Sequence, residues 1–417
     1  MSKSPLNIDH ILLFLGCGTM FSLFLKENFN SIFLVAFITT LLVSLFIKKD
    51  FGALRKGNKK YLPMLIYLIL AILGVMINPD SNLNYVIRLI PFGLTPLFLY
   101  YFALPKLKVK YLLLAFVAGN ILLLLFLDGL ALFDMVQSGS IYVEQGGRSY
   151  YRFLYSRYTQ GFFNHIYLGI YSILSIVLVQ QYQLGRSFWQ RMAFCFYLGL
   201  HIVLLGSRAV IIAAILAALL FLILASFQKK RFIKYIVMLI GFLMISTAVV
   251  YHYKETLLFN RYSQVFEWYH KRDLLLKRSF SINNRAKIYI VGYSMFKDLE
   301  RYGINGSGLA SNEIQKKYND TFKDEFALKT ITYNTHNQYI NNFIDWGLAG
   351  ILLTLLLMLL AIRTTYLLHF DWGTFFWIFF ALVLVMESVL IRHRGIVLFV
   401  IFYSFFLSQK NTISNEN

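Results

Sequence analysis

The chain has 417 residues, of which 58% are hydrophobic, 18% aromatic and only 14% charged, and its formal net charge is +20. Soluble domains carry about 25% charged residues, so a surface this poor in charge has to be covered by lipid, and a soluble fold is excluded. The basic excess sits in loops between apolar runs, which suits anchoring to anionic headgroups, and no basic stripe with interleaved aromatics forms a separate nucleic-acid-binding unit.

A helix crosses a bilayer with about 20 apolar residues. Runs near that length fall at 8–25, 30–47, 61–77, 84–104, 111–133, 162–181, 190–206, 209–227, 232–252, 336–361, 372–390 and 394–408. The expectation is an all-α polytopic membrane protein of about twelve transmembrane helices. The first run lacks a small-residue cleavage site and more spans follow it, so it reads as a helix rather than a signal peptide. Gly206–Ser207–Arg208 must be a very tight turn between two long runs. Cys17 and Cys195 lie inside apolar runs, without the spacing of a disulfide framework or a metal site.

Lysine and arginine in short loops set the orientation. With a cytoplasmic N-terminus, the cytoplasmic segments hold 18 of them and the short loops opposite hold 7. The bias alternates loop by loop, so the chemistry is expected to face away from the cytoplasm, with both termini cytoplasmic and the chain in the bacterial inner membrane. Three parts follow: a nine-helix bundle over 1–252, a large outer loop over 253–333, and three helices with a cytoplasmic tail over 334–417. Within the loop, Asn283 or Asn284 caps a helix whose apolar residues Ile288, Ile290, Val291, Met295 and Phe296 recur at helical spacing. Such a helix suits the membrane surface. Gly-Ile-Asn-Gly-Ser-Gly at 303–308 reads as a loop.

Several polar residues gather on the outer side. Arg88 lies just inside the fourth span and either snorkels to the interface or faces a polar cavity. Arg208 opens the eighth span, as an interface anchor or as the ligand of an anion. Arg285 stands beside Asn283 and Asn284 at a helix start, either solvated or part of a phosphate site made of guanidinium and helix N–H groups. His336 enters the tenth span, where Asn337, Asn341 and Asp345 recur every four residues. A polar stripe on a membrane helix should face a wet cavity. In the first turn the helix dipole disfavours an imidazolium, leaving the neutral form that a general base requires; the alternative is an interfacial histidine. His165 opens the sixth span, first as an interface residue and alternatively as a hydrogen-bonding partner of an acceptor sugar. Glu387, Arg392, His393 and Arg394 join the last two spans. A Glu387–Arg392 or Glu387–Arg394 pair is the default there, and a second anion-binding edge the alternative.

The outer side has no Asp-rich cation motif, and Asp80, Asp128 and Asp134 are isolated by spacing. No Walker loop or metal-binding His-Glu-x-x-His occurs, so neither a metal nor a cofactor is expected. Cations and a neutral histidine on one face suit phosphate-ester chemistry. Nucleotide donors are cytoplasmic, which leaves a lipid-borne donor such as a polyprenyl pyrophosphate.

Three segments carry a resemblance: Gly-Ser-Arg-Ala-Val-Ile-Ile at 206–212, Asn-Asn-Arg-Ala-Lys-Ile-Tyr at 283–289, and Thr-His-Asn-Gln-Tyr-Ile-Asn-Asn-Phe-Ile-Asp-Trp-Gly-Leu-Ala-Gly at 335–350. In these, and in its helix count with one large loop before the third-last helix, the chain resembles the O-antigen ligase and polymerase family of bacterial envelopes. The resemblance implies a GT-C-like glycosyltransferase that moves a glycan from undecaprenyl pyrophosphate to a sugar hydroxyl, without metal and with inversion. It implies His336 as base and Arg208 and Arg285 as pyrophosphate ligands, with Arg88 a third cation and His165 a looser carry-over; Asn337 and Arg392, from the residue reading, are further candidate substrate contacts. The compact length and single dominant loop favour a ligase, with lipid A–core as acceptor, over a polymerase or a protein O-glycosylase. A lipid-linked glycan transporter is the reading of another class. It would need charges distributed along a pathway and an inverted repeat, and no repeat is visible.

Overall fold

In lipid a backbone has to satisfy its own N–H and C=O groups, so long apolar runs become helices. The computed structural model describes residues 8–49, 61–77, 83–104, 109–145, 148–153, 158–159, 162–185, 187–229, 281–303, 306–308, 310–322 and 334–408. Helices α1 (Ile8–Ser22), α2 (Glu27–Lys48) and α3 (Leu62–Ile77) occupy the first three runs. The fourth run is two helices, α4 (Leu83–Gly93) and α5 (Thr95–Phe102). Proline in the first turn of α5 has no N–H to donate backwards, so the break falls just before it.

After α6 (Val109–Ser138) comes a hairpin that the sequence reading lacks. Strands β1 (Tyr142–Gln145) and β2 (Arg148–Tyr151) pair antiparallel, with Tyr142 opposite Tyr151. Next are α7 (His165–Gln181), α8 (Phe188–Leu205) and α9 (Arg208–Lys229). Gly206 ends α8 at φ 54°, in the left-handed region open to glycine, which makes the tight turn into α9 possible. The ninth expected span, 232–252, lies outside the described residues. The chain then forms α10 (Ser281–Lys297), α11 (Leu299–Tyr302), α12 (Ala310–Phe322), α13 (Gln338–Leu367), α14 (Asp371–Met386) and α15 (His393–Ser408). Four of these helices, α2, α6, α8 and α13, are long and apolar enough to cross a membrane, and the bundle around them consists of shorter apolar helices.

Helix α15 is the centre of the bundle, with every residue from Gly395 to Leu407 buried. An aromatic cluster fixes it to α14: the Trp377 ring meets Phe399, Tyr403 and Phe406 at centroid distances of 5.6, 6.1 and 6.0 Å. Helix α7 is buried almost as completely. By contrast α2 and α8 present Phe46, Trp189 and Phe196 outward, as lipid-facing helices do.

The helices that carry the sequence candidates start at one end of this bundle. The first turn of α15 meets that of α2, where His393 Nε2 lies 3.3 Å from Asn30 Oδ1. Helix α7 reaches the same place, because Tyr171 donates to the Arg394 carbonyl at 3.2 Å. The starts of α7 and α9 are also adjacent: a Cβ on Gly169 would sit 3.2 Å from Val210, so glycine there permits close approach.

The segment before α13 docks onto it. Ile288, Val291 and Met295 of α10 pack with Tyr302, Ile314 and Tyr318 against Phe343 and Ile344. The helix begins at Ser281, two residues before the expected cap, and its apolar face meets protein rather than the membrane surface. Tyr302 donates to Glu313 at 3.1 Å, and burial, then that carboxylate, push its hydroxyl up to about 12.

Helix α13 is broken inside the Asp-Trp-Gly segment, where Trp346 (φ −135°, ψ 17°) and Gly347 (φ 64°, ψ −152°) leave helical geometry. The carbonyls this frees are taken by the glycine-rich loop. Ser307 N–H donates to the Ile344 carbonyl at 2.6 Å and Gly308 N–H to that of Asp345 at 2.9 Å, while Leu348 N–H donates back to Gly303 at 2.9 Å. Gly306 sits at φ 63° directly against the Asp345 carbonyl, with no room for a Cβ.

Candidate active site

His336 is set by its backbone. Asn337 is the N-cap of α13 and its side chain accepts from Tyr339 N–H (3.0 Å) and Ile340 N–H (3.1 Å). Thr335 closes a local turn by donating to the Asn337 carbonyl at 2.6 Å. His336 therefore precedes the helix instead of lying in its first turn, and it adopts φ 48°. Its N–H donates to Asn334 Oδ1 at 2.9 Å and its carbonyl accepts from the Tyr289 hydroxyl of α10 at 3.0 Å. A non-glycine residue in this left-handed region persists where neighbours over-determine it, and here neighbours on both sides in sequence and from α10 do so.

The imidazole Nδ1 lies 3.0 Å from Glu387 Oε2, with the side chains 25% and 9% exposed. Carboxylate oxygens accept, so Nδ1 is the donor, and in the neutral ring the lone pair falls on Nε2. Nε2 has no partner among the described residues. This pairing replaces both pairs expected for Glu387 from sequence. Arg394 instead stacks on Phe163 at 4.0 Å, donates to the Leu25 carbonyl at 2.7 Å and faces Glu27 at 3.9 Å, while Arg392 is exposed. The reason is geometric: Glu387 ends α14 in an extended conformation that aims it at α13, and the arginines follow beyond a short 3-10 turn, Val389–Ile391.

The polar stripe of α13 is buried at Asn341 and Asp345. Asn341 and Asp345 are 3% and 1% exposed, and Asn341 donates to Asp345 at 3.0 Å. Gln338 donates to Asn342 and accepts from Leu390 N–H, both at 2.8 Å. These amides tie α13 to the segment after Glu387 and so hold the histidine and its carboxylate in register.

The other candidates lie on separate elements. Arg208 is the first residue of α9 and half-buried. Arg285 lies in α10 one turn before Tyr289, and its side chain is outside the described residues. Arg88 is exposed on α4, near enough to His393 for their charges to interact. His165 and Arg392 come together in a 550 Å³ pocket that Lys26 and Arg394 also line. Asp128, isolated in sequence, is not isolated in space. It accepts from Tyr158 at 2.8 Å and Tyr197 at 2.9 Å, and His201 Nε2 is 3.1 Å away. Sequence reasoning missed Glu387 as the histidine's partner and the contact of Tyr289 with the His336 carbonyl; a lone carboxylate closing an apolar run was the available signal for the first.

Fold and site together define an all-α polytopic membrane protein with a polar, cation-rich site at one end of its bundle. Residues 193–355 match the family model for O-antigen ligase, so this stretch of the chain is similar to that family. The match takes in Arg208, Arg285 and His336, whereas Arg88, His165, Glu387 and Arg392 lie outside it. No curated protein matches the chain.

Proposed function

We propose that this protein is an O-antigen ligase that transfers a glycan from undecaprenyl pyrophosphate to a sugar hydroxyl of lipid A–core, at the periplasmic face of the inner membrane. The observation that carries the reading is the oriented histidine: His336 Nδ1 on Glu387, with Nε2 open. A pyrophosphate leaving group is already good, so the enzyme's tasks are to deprotonate the acceptor and to meet the charge that departs. His336 Nε2 takes the acceptor hydroxyl proton as that oxygen attacks the anomeric carbon, and Glu387 stabilises the imidazolium that forms. The bond from the anomeric carbon to the pyrophosphate oxygen breaks, its electron pair leaves with undecaprenyl pyrophosphate, and Arg208 and Arg285 neutralise the anion, with Arg88 a third cation. A single displacement inverts the anomeric centre and asks for no metal.

The topology belongs to the same proposal. Nine spans over 1–252 bring the chain to the periplasm, 253–333 stay outside, and three spans over 334–417 return it, with both termini cytoplasmic in a GT-C-like arrangement. The packing of α10, α11 and α12 against α13 supports it, because these helices then lie on the face that His336 occupies.

Purified protein given lipid-linked O-antigen and lipid A–core should form complete lipopolysaccharide, and His336→Ala should lower turnover by at least about a hundredfold, as loss of a general base does. Normal turnover by His336→Ala would overturn the base assignment. In cells, deletion should leave polymer on the carrier lipid and bare core. Core bearing a single repeat unit would instead identify a polymerase.

A further inference from the structure

The amino ends of α2, α7 and α15 meet around the 550 Å³ pocket, a volume within the range of about 300–1,000 Å³ typical of small-molecule sites. Lys26, Arg392 and Arg394 line it with a single carboxylate, Glu27, and His165 is a further lining residue. Each helix amino end adds roughly half a positive charge, and Lys26, at the N-cap of α2, supplies no side-chain acceptor for the N–H groups behind it. Arg394 is already fixed, stacked on Phe163 and bonded to the Leu25 carbonyl, so its charge is oriented before any ligand arrives. The ion pair with Glu27 is long, at 3.9 Å, and that carboxylate is 53% exposed. The potential of the pocket is thus strongly positive and poorly neutralised.

The pocket and His336 share one stretch of backbone. Tyr167, which lines the pocket, donates to the Val389 carbonyl at 3.1 Å, and Tyr171 donates to that of Arg394 at 3.2 Å. Glu387, at the start of the same stretch, holds His336. The pocket wall and the carboxylate that holds His336 are thus both fixed to residues 387–394. All the pocket-lining residues lie outside 193–355, the segment that contains Arg208, Arg285 and His336.

We infer that this pocket binds an anionic substituent, a phosphate or carboxylate, on the acceptor glycan, and so selects acceptors by their charge while the donor pyrophosphate is held elsewhere. The inference rests on the transferase reading above. It assigns Lys26, Arg392 and Arg394 to acceptor specificity and gives His165 a sugar-hydroxyl or phosphate contact.

The test uses the full-length protein in nanodiscs with two acceptors, phosphorylated lipid A–core and the same glycolipid after phosphatase treatment of its core sugars. Losing one charge-assisted contact should raise the acceptor KM about tenfold. Dephosphorylation should do this to the wild type, and Arg392→Gln or Lys26→Gln should do it for the phosphorylated acceptor only, with the donor KM unmoved. Variants that discriminate between the two acceptors as the wild type does would overturn the inference, and a raised donor KM would assign the pocket to the donor instead. A phospholipid headgroup as the true ligand would appear as a KM that follows the anionic lipid content of the nanodisc and ignores the acceptor's phosphate. Should the wild type transfer nothing, the transferase reading fails on its own, and binding decides the pocket: glucose 6-phosphate should give a saturation-transfer NMR signal that glucose lacks and Arg392→Gln abolishes. Equal signals from both sugars, or an unchanged signal in the variant, would overturn it. Arg392 is exposed, so its substitution leaves the packing intact.

Discussion

Glu387→Gln isolates the charge of the histidine's partner from its geometry, because glutamine is isosteric and its carbonyl still accepts from Nδ1. The N···O separation is 3.0 Å. At an effective dielectric of about 20, opposite unit charges at that distance attract by roughly 5 kcal/mol. This is the attraction available to the imidazolium that forms as the acceptor is deprotonated. The amide keeps a neutral hydrogen bond of about 1 kcal/mol, and water reaches part of a side chain that is 25% exposed, which leaves about 2–3 kcal/mol of lost transition-state stabilisation. That corresponds to roughly a 30- to 150-fold lower kcat. The assay is single-turnover glycan transfer with donor and acceptor saturating, alongside thermal unfolding in detergent to verify that the variant is folded. A folded Glu387→Gln that turns over within threefold of the wild type would refute the assignment of Glu387 as the group that stabilises the imidazolium.

Two further substitutions test how the site is supported. Gly306→Ala forces a Cβ into the left-handed region and against the Asp345 carbonyl; the expected cost is about 2–4 kcal/mol, read as a lower melting temperature and faster proteolysis of the 281–322 segment, and an unaltered melting curve would contradict the docking of that loop. Asp128→Leu removes the shared acceptor of Tyr158, Tyr197 and His201. Tyr158 keeps the Leu124 carbonyl and His201 the Tyr197 carbonyl, so the Tyr197 hydroxyl loses its acceptor and the expected cost is about 1–3 kcal/mol; a melting temperature within a degree of the wild type would show that the cluster contributes nothing.

Helices were legible where a single local pattern decides them. The run at 162–181 became α7 and that at 209–227 became α9, because lipid leaves an apolar stretch no other way to satisfy its backbone. The split between α4 and α5 was legible in principle from Pro96, and the hairpin from the Gly146–Gly147 pair between its strands; hydropathy alone sees neither. The location of His336 was readable from its segment, but its partner was not. Glu387 lies 51 residues away, and its nearest cations in sequence made a local ion pair the natural expectation. Likewise the spacing of Asn337, Asn341 and Asp345 suggested a face toward a wet cavity, whereas Asn341 and Asp345 are buried. What the break at Trp346–Gly347 adds, the docking of residues 303–308 onto the carbonyls of Ile344 and Asp345, was equally out of reach of the local pattern.

The break in α13 also has a consequence for assembly. Its free carbonyls at Ile344 and Asp345 are completed by residues 307 and 308, which precede the helix in the chain and so leave the ribosome first. When α13 is threaded into the bilayer, the piece that completes its interrupted turn has already been made. The order of synthesis supplies the wedge before the gap exists, and the exposed, unsatisfied form of the helix need persist only as long as the two take to meet.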